Sequence, residues 1–190
     1  MAIEVFVNNF RNIAFVPVMD NLEQVIAAQL LDIGWQQTVL QNNYKKIFLV
    51  IDNPLIRWQR QVCRHYESSV YTNIGLDQDD FIDFLLYNKI TCTNITNHQK
   101  YYFEQAKNFA KNVTLFQLTN KLGYMINHFL YDNSIPNKFN NLLKIDNEYN
   151  NYSKLKSFLT TDINKPYLDK VKSYLNNDVD FVESAKFYAR

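Results

Sequence analysis

The chain has 190 residues, 47% of them hydrophobic and 15% aromatic, and a formal net charge of +1. That length and apolar content describe one domain, residues 1–190, large enough to bury a core, and they exclude a disordered chain. The near-neutral charge removes the electrostatic case for nucleic acid or an acidic membrane surface as a partner. No basic flank followed by an apolar core stands near the N-terminus, and no apolar run reaches the length of a bilayer span. A soluble, cytoplasmic protein is expected. Cys63 and Cys92 are too few for a disulfide framework or a zinc site, so they read as free thiols.

Ile3, Val5 and Val7 recur at every second position, which reads as an edge strand or an N-terminal extension. Ile13 to Val16 is a short buried strand stopped by Pro17. Asp20 then stands as an N-cap, with Glu23 completing a capping-box-like pair. Leu22, Val25, Ile26, Leu30 and Ile33 give one apolar face to a helix over residues 21–33, which Gly34 ends. Trp35 to Leu40 is a strand candidate and Gln41 to Asn43 a turn.

Ile47 to Ile51 is an unbroken apolar run, the pattern of a strand covered on both faces in a parallel sheet. Asn53 is a good N-cap, and Pro54 sits where a first-turn proline is tolerated. Leu55, Trp58, Val62 and Tyr66 then repeat at helical spacing, while Arg57, Arg60 and Arg64 share another face. Asp77 to Asp80 start a further helix with Phe81, Phe84 and Leu85 on its face. His98 to Asn108 is helical, Val113 to Leu118 is a third parallel-type strand, and Thr119 or Asn120 caps a helix through Leu122, Met125, Ile126 and Phe129. Asn133 to Tyr152 is Asn-rich and reads as a long irregular connection or a lid. Tyr167 to Tyr188 is helical by pattern. Alternating strands and helices give an α/β fold: a three-layer sandwich with a mostly parallel sheet and additional C-terminal helices. A ligand is expected past the carboxyl end of the Ile47–Ile51 strand, near Asp52 to Arg60.

The arginine stripe has two readings: an anion-binding face, or a solvated face partly neutralised by Asp52 and Glu67. Asp52 is either a catalytic or metal-binding carboxylate at a strand end, or a helix-entry acid that pairs with Arg57 or an N-terminal amide. His65, His98 and His128 lack metal-ligand spacing, so no metal site is expected; His98, ahead of a helix, is the candidate acid or base. No G-x-S-x-G, Walker A or G-x-G-x-x-G pattern is present.

On three pieces the layout resembles the sulfotransferase family, with its P-loop NTPase-like fold. The strand, Pro17 and following helix stand where that family has its 5′-phosphosulfate loop. Asn53, Pro54 and Arg57 match the register of its 3′-phosphate strand and helix. The tail, from Tyr167-Leu168-Asp169 through Asp180-Phe181-Val182, resembles its closing helix. The stretch Val113 to Gly123 is also similar to its late strand and helix.

The resemblance implies a divergent sulfotransferase-like protein, moving a sulfuryl group from 3′-phosphoadenosine 5′-phosphosulfate to a hydroxyl or amine of a small-molecule or glycan acceptor. It would place Pro17, Val18, Asp20 and Asn21 around the sulfate end, and Asp52, Asn53, Arg57 and Arg60 around the 3′-phosphate. The usual loop lysine is here Val18, the usual arginine is Asp52, and the usual serine is Arg60. Asp20 and Glu23 would compete with an anion for the helix N–H groups. Whether the chain is an enzyme therefore stays open. The alternatives are a non-catalytic module on the same fold that binds a nucleotide, glycan or protein, and a structural or interaction protein of viral or bacterial origin.

Overall fold

A computed structural model describes residues 3–41, 43–68, 77–87, 98–135 and 153–189. Cys92 and most of the expected lid, residues 136–152, lie outside the described residues. In chain order the elements are β1 (Glu4–Asn8), β2 (Ile13–Phe15), α1 (Glu23–Asp32), β3 (Gln36–Val39), β4 (Tyr44–Ile51) and α2 (Pro54–Ser68). After these come α3 (Gln78–Tyr87), α4 (Gln99–Phe109), β5 (Ala110–Gln117), α5 (Leu122–Asp132), α6 (Ser153–Thr160) and α7 (Lys165–Ser184). This α/β chain divides into two compact units. The first comprises Met1–Asp52, Asn97–Leu143 and Phe181–Arg190; the second comprises Asn53–Thr96 and Lys144–Asp180.

The first unit carries the sheet, in the order β3-β1-β2-β4-β5. β2, β4 and β5 run parallel, as the apolar runs imply, while β1 is antiparallel to both β2 and β3. The sheet is thus mixed. The cause is local: only residues 9–12 separate β1 from β2, and so short a link can join only antiparallel strands. β1 is therefore an inner strand rather than an edge.

Cross-strand pairing lines up Phe6 with Phe15 and Phe15 with Phe48. Phe15 stacks on Phe48 at 5.0 Å, and Phe48 also meets Trp35, Phe116 and Phe129 of α5 with ring centroids 5.4–6.1 Å apart. Such tilted and edge-on pairs add to plain burial. A second cluster joins Val5, Val7, Ala14, Ile47, Leu49 and Leu115 to Tyr102 and Ala106 of α4.

The C-terminal helix is shorter than its pattern suggests. It stops at Ser184, and the backbone N–H of Tyr188 donates to the carbonyl of Leu115 at 2.7 Å, beside β5. Tyr188 gains ring contacts with Phe116 and Phe129 there, at 5.1 and 6.0 Å, which a continued helix would forgo.

The second unit is helical in its described residues. Asn53 caps α2 as its sequence position implies: its side-chain oxygen accepts from the N–H groups of Leu55 and Ile56 at 2.9 and 3.2 Å. Such a cap contributes about 1 kcal/mol. Asp77 does the same for α3, accepting from Asp79 and Asp80 at 2.9 and 3.1 Å, and its own N–H donates back to Asp80. The core gathers Trp58, Val62 and Tyr66 of α2, Phe81 and Leu85 of α3, Leu155 and Phe158 of α6, and Tyr167 and Val171 of α7. Two amides tie the helices: Gln59 donates to the carbonyl of Leu159 at 3.1 Å, and the N–H of Leu155 donates to Gln78 at 2.9 Å. Cys63 is buried in this core and forms no disulfide among the described residues.

Candidate functional site

The sheet order places a topological switch point between β2 and β4. The chain leaving β2 passes through α1 to β3 on one side, and the chain leaving β4 comes back at β5 on the other. The crevice outside the carboxyl ends of two such strands is where open α/β sheets take ligands. In the first unit it is bordered by Pro17 to Asn21 after β2, by Asp52 after β4, and by the start of α4.

After β2, the N–H of Val16 donates to Phe48 at 3.1 Å and prolongs the parallel pairing. Pro17 and the buried Val18 lead into a tight turn closed by the Asn21 N–H on the Val18 carbonyl at 3.1 Å. Asp20 and Leu22 both adopt left-handed backbone, φ 66° and 60°. The expected capping box does not form: α1 begins at Glu23, its N-cap residue is Leu22, and no side chain caps it. Asp20 lies within the turn and is buried.

The turn aims Asn21 inward. Its side-chain amide, 1% exposed, donates to the Val50 carbonyl at 2.8 Å and to Gln99 Oε1 at 2.7 Å. Gln99, the first residue of α4, is wholly buried. Its Oε1 also accepts from the Asp52 N–H at 2.9 Å, and its Nε2 donates to the Asp52 carbonyl at 2.8 Å. One side-chain amide thus pairs with both backbone groups of Asp52, as a neighbouring strand would. With the Ile51 carbonyl accepting from Leu118 at 2.8 Å, the end of β4 has its backbone groups satisfied from within the chain.

The structure brings Asn21 together with the backbone of Asp52. Asp52 itself is 7% exposed. His98 sits at the N-cap position of α4, partly buried, without capping the helix through its side chain. Gln99 was missed by motif reading, because a lone glutamine beside a histidine carries no pattern. In the second unit, Asn53 serves as the exposed cap of α2. Arg57 and Arg60 are 3% and 7% exposed, so the solvated-face reading fails for both, and only Arg64 is exposed. A guanidinium keeps its charge when buried, so each occupies a polar setting rather than water. Among the described residues no group of three or more His, Cys, Asp or Glu could hold a metal ion, and no helix is long and apolar enough to cross a membrane.

The first unit also has a cleft of about 490 Å³ at the opposite, amino-terminal end of the parallel strands, bordered by Asn12, Asn43 to Lys45 and Asn108 to Lys111. None of the residues picked from the sequence lines it. Burial pushes the Tyr44 phenol there above the ordinary tyrosine value of 10.0, with a backbone hydrogen bond at Gln41 opposing this in part. A phenol whose folded value is raised supports the fold fully below that ordinary value and stops doing so as pH climbs through the raised one. In an alkaline titration followed by tyrosinate absorbance, Tyr44→Phe should remove one late-ionising group; loss of an early one would contradict the burial.

No protein-family model matches this chain, and neither a curated protein nor a solved structure matches it. The resemblance to sulfotransferases therefore stands on the matched residues alone.

Proposed function

We propose that this chain is a sulfotransferase-like α/β module that binds a partner or ligand without transferring sulfuryl groups. In this reading the arrangement is the three-layer one of P-loop-like folds, with helices on both faces of the sheet. The observation that carries the reading is the pairing of Gln99 with Asp52 and Asn21. Those amides occupy the polar positions outside β4, where a nucleotide donor needs open N–H groups. Val18 in place of a lysine, and a buried Asp20 in the turn, act in the same direction: neither offsets charge on a transferring sulfuryl group.

A second reading keeps the donor. In it, Asn53, Arg57 and Arg60 hold a 3′-phosphate, and the burial of both guanidinia favours it. Calorimetric titration with 3′-phosphoadenosine 5′-phosphate at low salt, beside Arg57→Ala, separates the two. The first reading expects no heat of binding at millimolar nucleotide that Arg57→Ala removes. Micromolar binding lost in Arg57→Ala would establish the second and call for a screen of hydroxyl and amine acceptors.

A further inference from the structure

We propose that the cleft at the amino-terminal ends of β4 and β5 binds a small phosphate monoester. Three features of the first unit carry this, and none depends on the crevice at the other end of the strands.

The first is charge. Pairing of Tyr44 with Ala110 and of Lys46 with Asn112 brackets Lys45 and Lys111, which therefore lie side by side on one sheet face. Like charges in that relation repel, and a sheet ordinarily avoids them. Both lysines line the cleft, and among the described residues no acidic one does. Among the described residues neither ammonium has a carboxylate within ion-pair distance. A dianion between them would turn the repulsion into two charge-assisted contacts.

The second is hydrogen-bonding capacity. β2 and β4 are each entered from an asparagine, Asn12 and Asn43, and Asn108 comes two residues before β5. Asn12 and Asn43 hold left-handed backbone, φ 55° and 76°. Asn12 Nδ2 donates to the Asn43 carbonyl at 2.9 Å, and the Asn12 carbonyl accepts from the Lys45 N–H at 2.9 Å. The rim is thereby fixed, while the amides of Asn43 and Asn108 have no hydrogen bond among the described residues and line the same space. Such amides suit the hydroxyls of a polar ligand body.

The third is size. About 490 Å³ is more than inorganic phosphate fills and falls in the range of small-molecule sites. Phe109, half-buried on the wall, offers an apolar surface to the carbon skeleton. A sugar phosphate matches all three features.

The probe is ribose 5-phosphate, titrated into the full chain by calorimetry at low salt, with ribose and inorganic sulfate as comparison arms. Binding saturable below millimolar concentration is expected, weakening as salt rises. Lys45→Gln and Lys111→Gln should each reduce affinity by about tenfold. Both side chains are exposed, so circular dichroism and the melting temperature of these variants should stay at or above wild type. Ribose should not bind, and sulfate should bind more weakly than the ester. No binding at millimolar ester, equal binding of ribose, or affinity indifferent to both lysine variants overturns the proposal.

Discussion

Gln99→Ala is expected to lower the stability of the first unit by about 3 kcal/mol, since three hydrogen bonds in a dry setting vanish and each stranded partner costs about 1–3 kcal/mol. The bonds are those to the Asn21 amide at 2.7 Å and to the Asp52 N–H and carbonyl at 2.9 and 2.8 Å. Alanine offers nothing in return, and the site is buried too deeply for water to serve all three groups. Gln99→Glu makes the reasoning sharper. A carboxylate can still accept from Asn21 and Asp52 N–H, but it turns an oxygen toward the Asp52 carbonyl, so it should lose at least as much as alanine. Urea unfolding followed by circular dichroism checks both. A Gln99→Ala midpoint indistinguishable from wild type would mean that the amide network does not hold the end of β4.

The second large effect belongs to Phe48. Phe48→Ala should cost about 3–5 kcal/mol, the range for emptying an aromatic site in a core. Phe48 is fully buried and touches Phe15, Trp35, Phe116 and Phe129 at once. Those rings come from β2, the residue before β3, β5 and α5. No single neighbour can relax into the hole without losing its own contacts. Phe48→Leu keeps most of the volume and should lose less than half as much. Thermal unfolding of the two variants side by side reads the difference; equal, small shifts would contradict a close-packed aromatic core.

Much of this fold is legible in the sequence because its strands are short, apolar and bounded. Ile47 to Ile51 lies in β4, Ile13 to Phe15 is β2, and Val113 to Gln117 lies in β5, all three parallel. Asn53 and Pro54 mark the start of α2, and the side chain of Asn53 makes the capping bonds its type and place imply. These signals are local, so they survive reading one segment at a time. The turn after β2 is different. Asp20 and Glu23 have capping-box spacing, yet the backbone at Asp20 and Leu22 turns left-handed and delays the helix. What decides there is the long-range demand to bring Asn21 against Val50, 29 residues away.

The same limit applies to the site. Asn21 and Asp52 stand out in the sequence by their places after two strands, whereas Gln99 does not. It meets Asp52 across 47 residues, and no periodicity announces that an amide will stand in for a strand. His98 stands out by its place ahead of a helix, whereas its neighbour Gln99, which makes the contacts to Asp52, does not. Arg57 and Arg60 mislead in another way. A helix with apolar residues on one stripe suggests a wet opposite side, yet α2 is buried at Arg57, Trp58 and throughout Arg60 to Cys63. Lys45 and Lys111 carry no motif in the sequence, and only strand register sets them side by side.

Side-chain amide exchange by nuclear magnetic resonance, with and without 3′-phosphoadenosine 5′-phosphate, tests most directly whether the crevice beyond β4 is closed by the protein itself. The NH₂ groups of Asn21 and Gln99 should exchange with deuterium far more slowly than those of exposed Asn and Gln, and excess nucleotide should leave their resonances in place. Exchange as fast as at exposed amides, or resonances that move on adding nucleotide, would contradict the closed crevice and return the site to a donor.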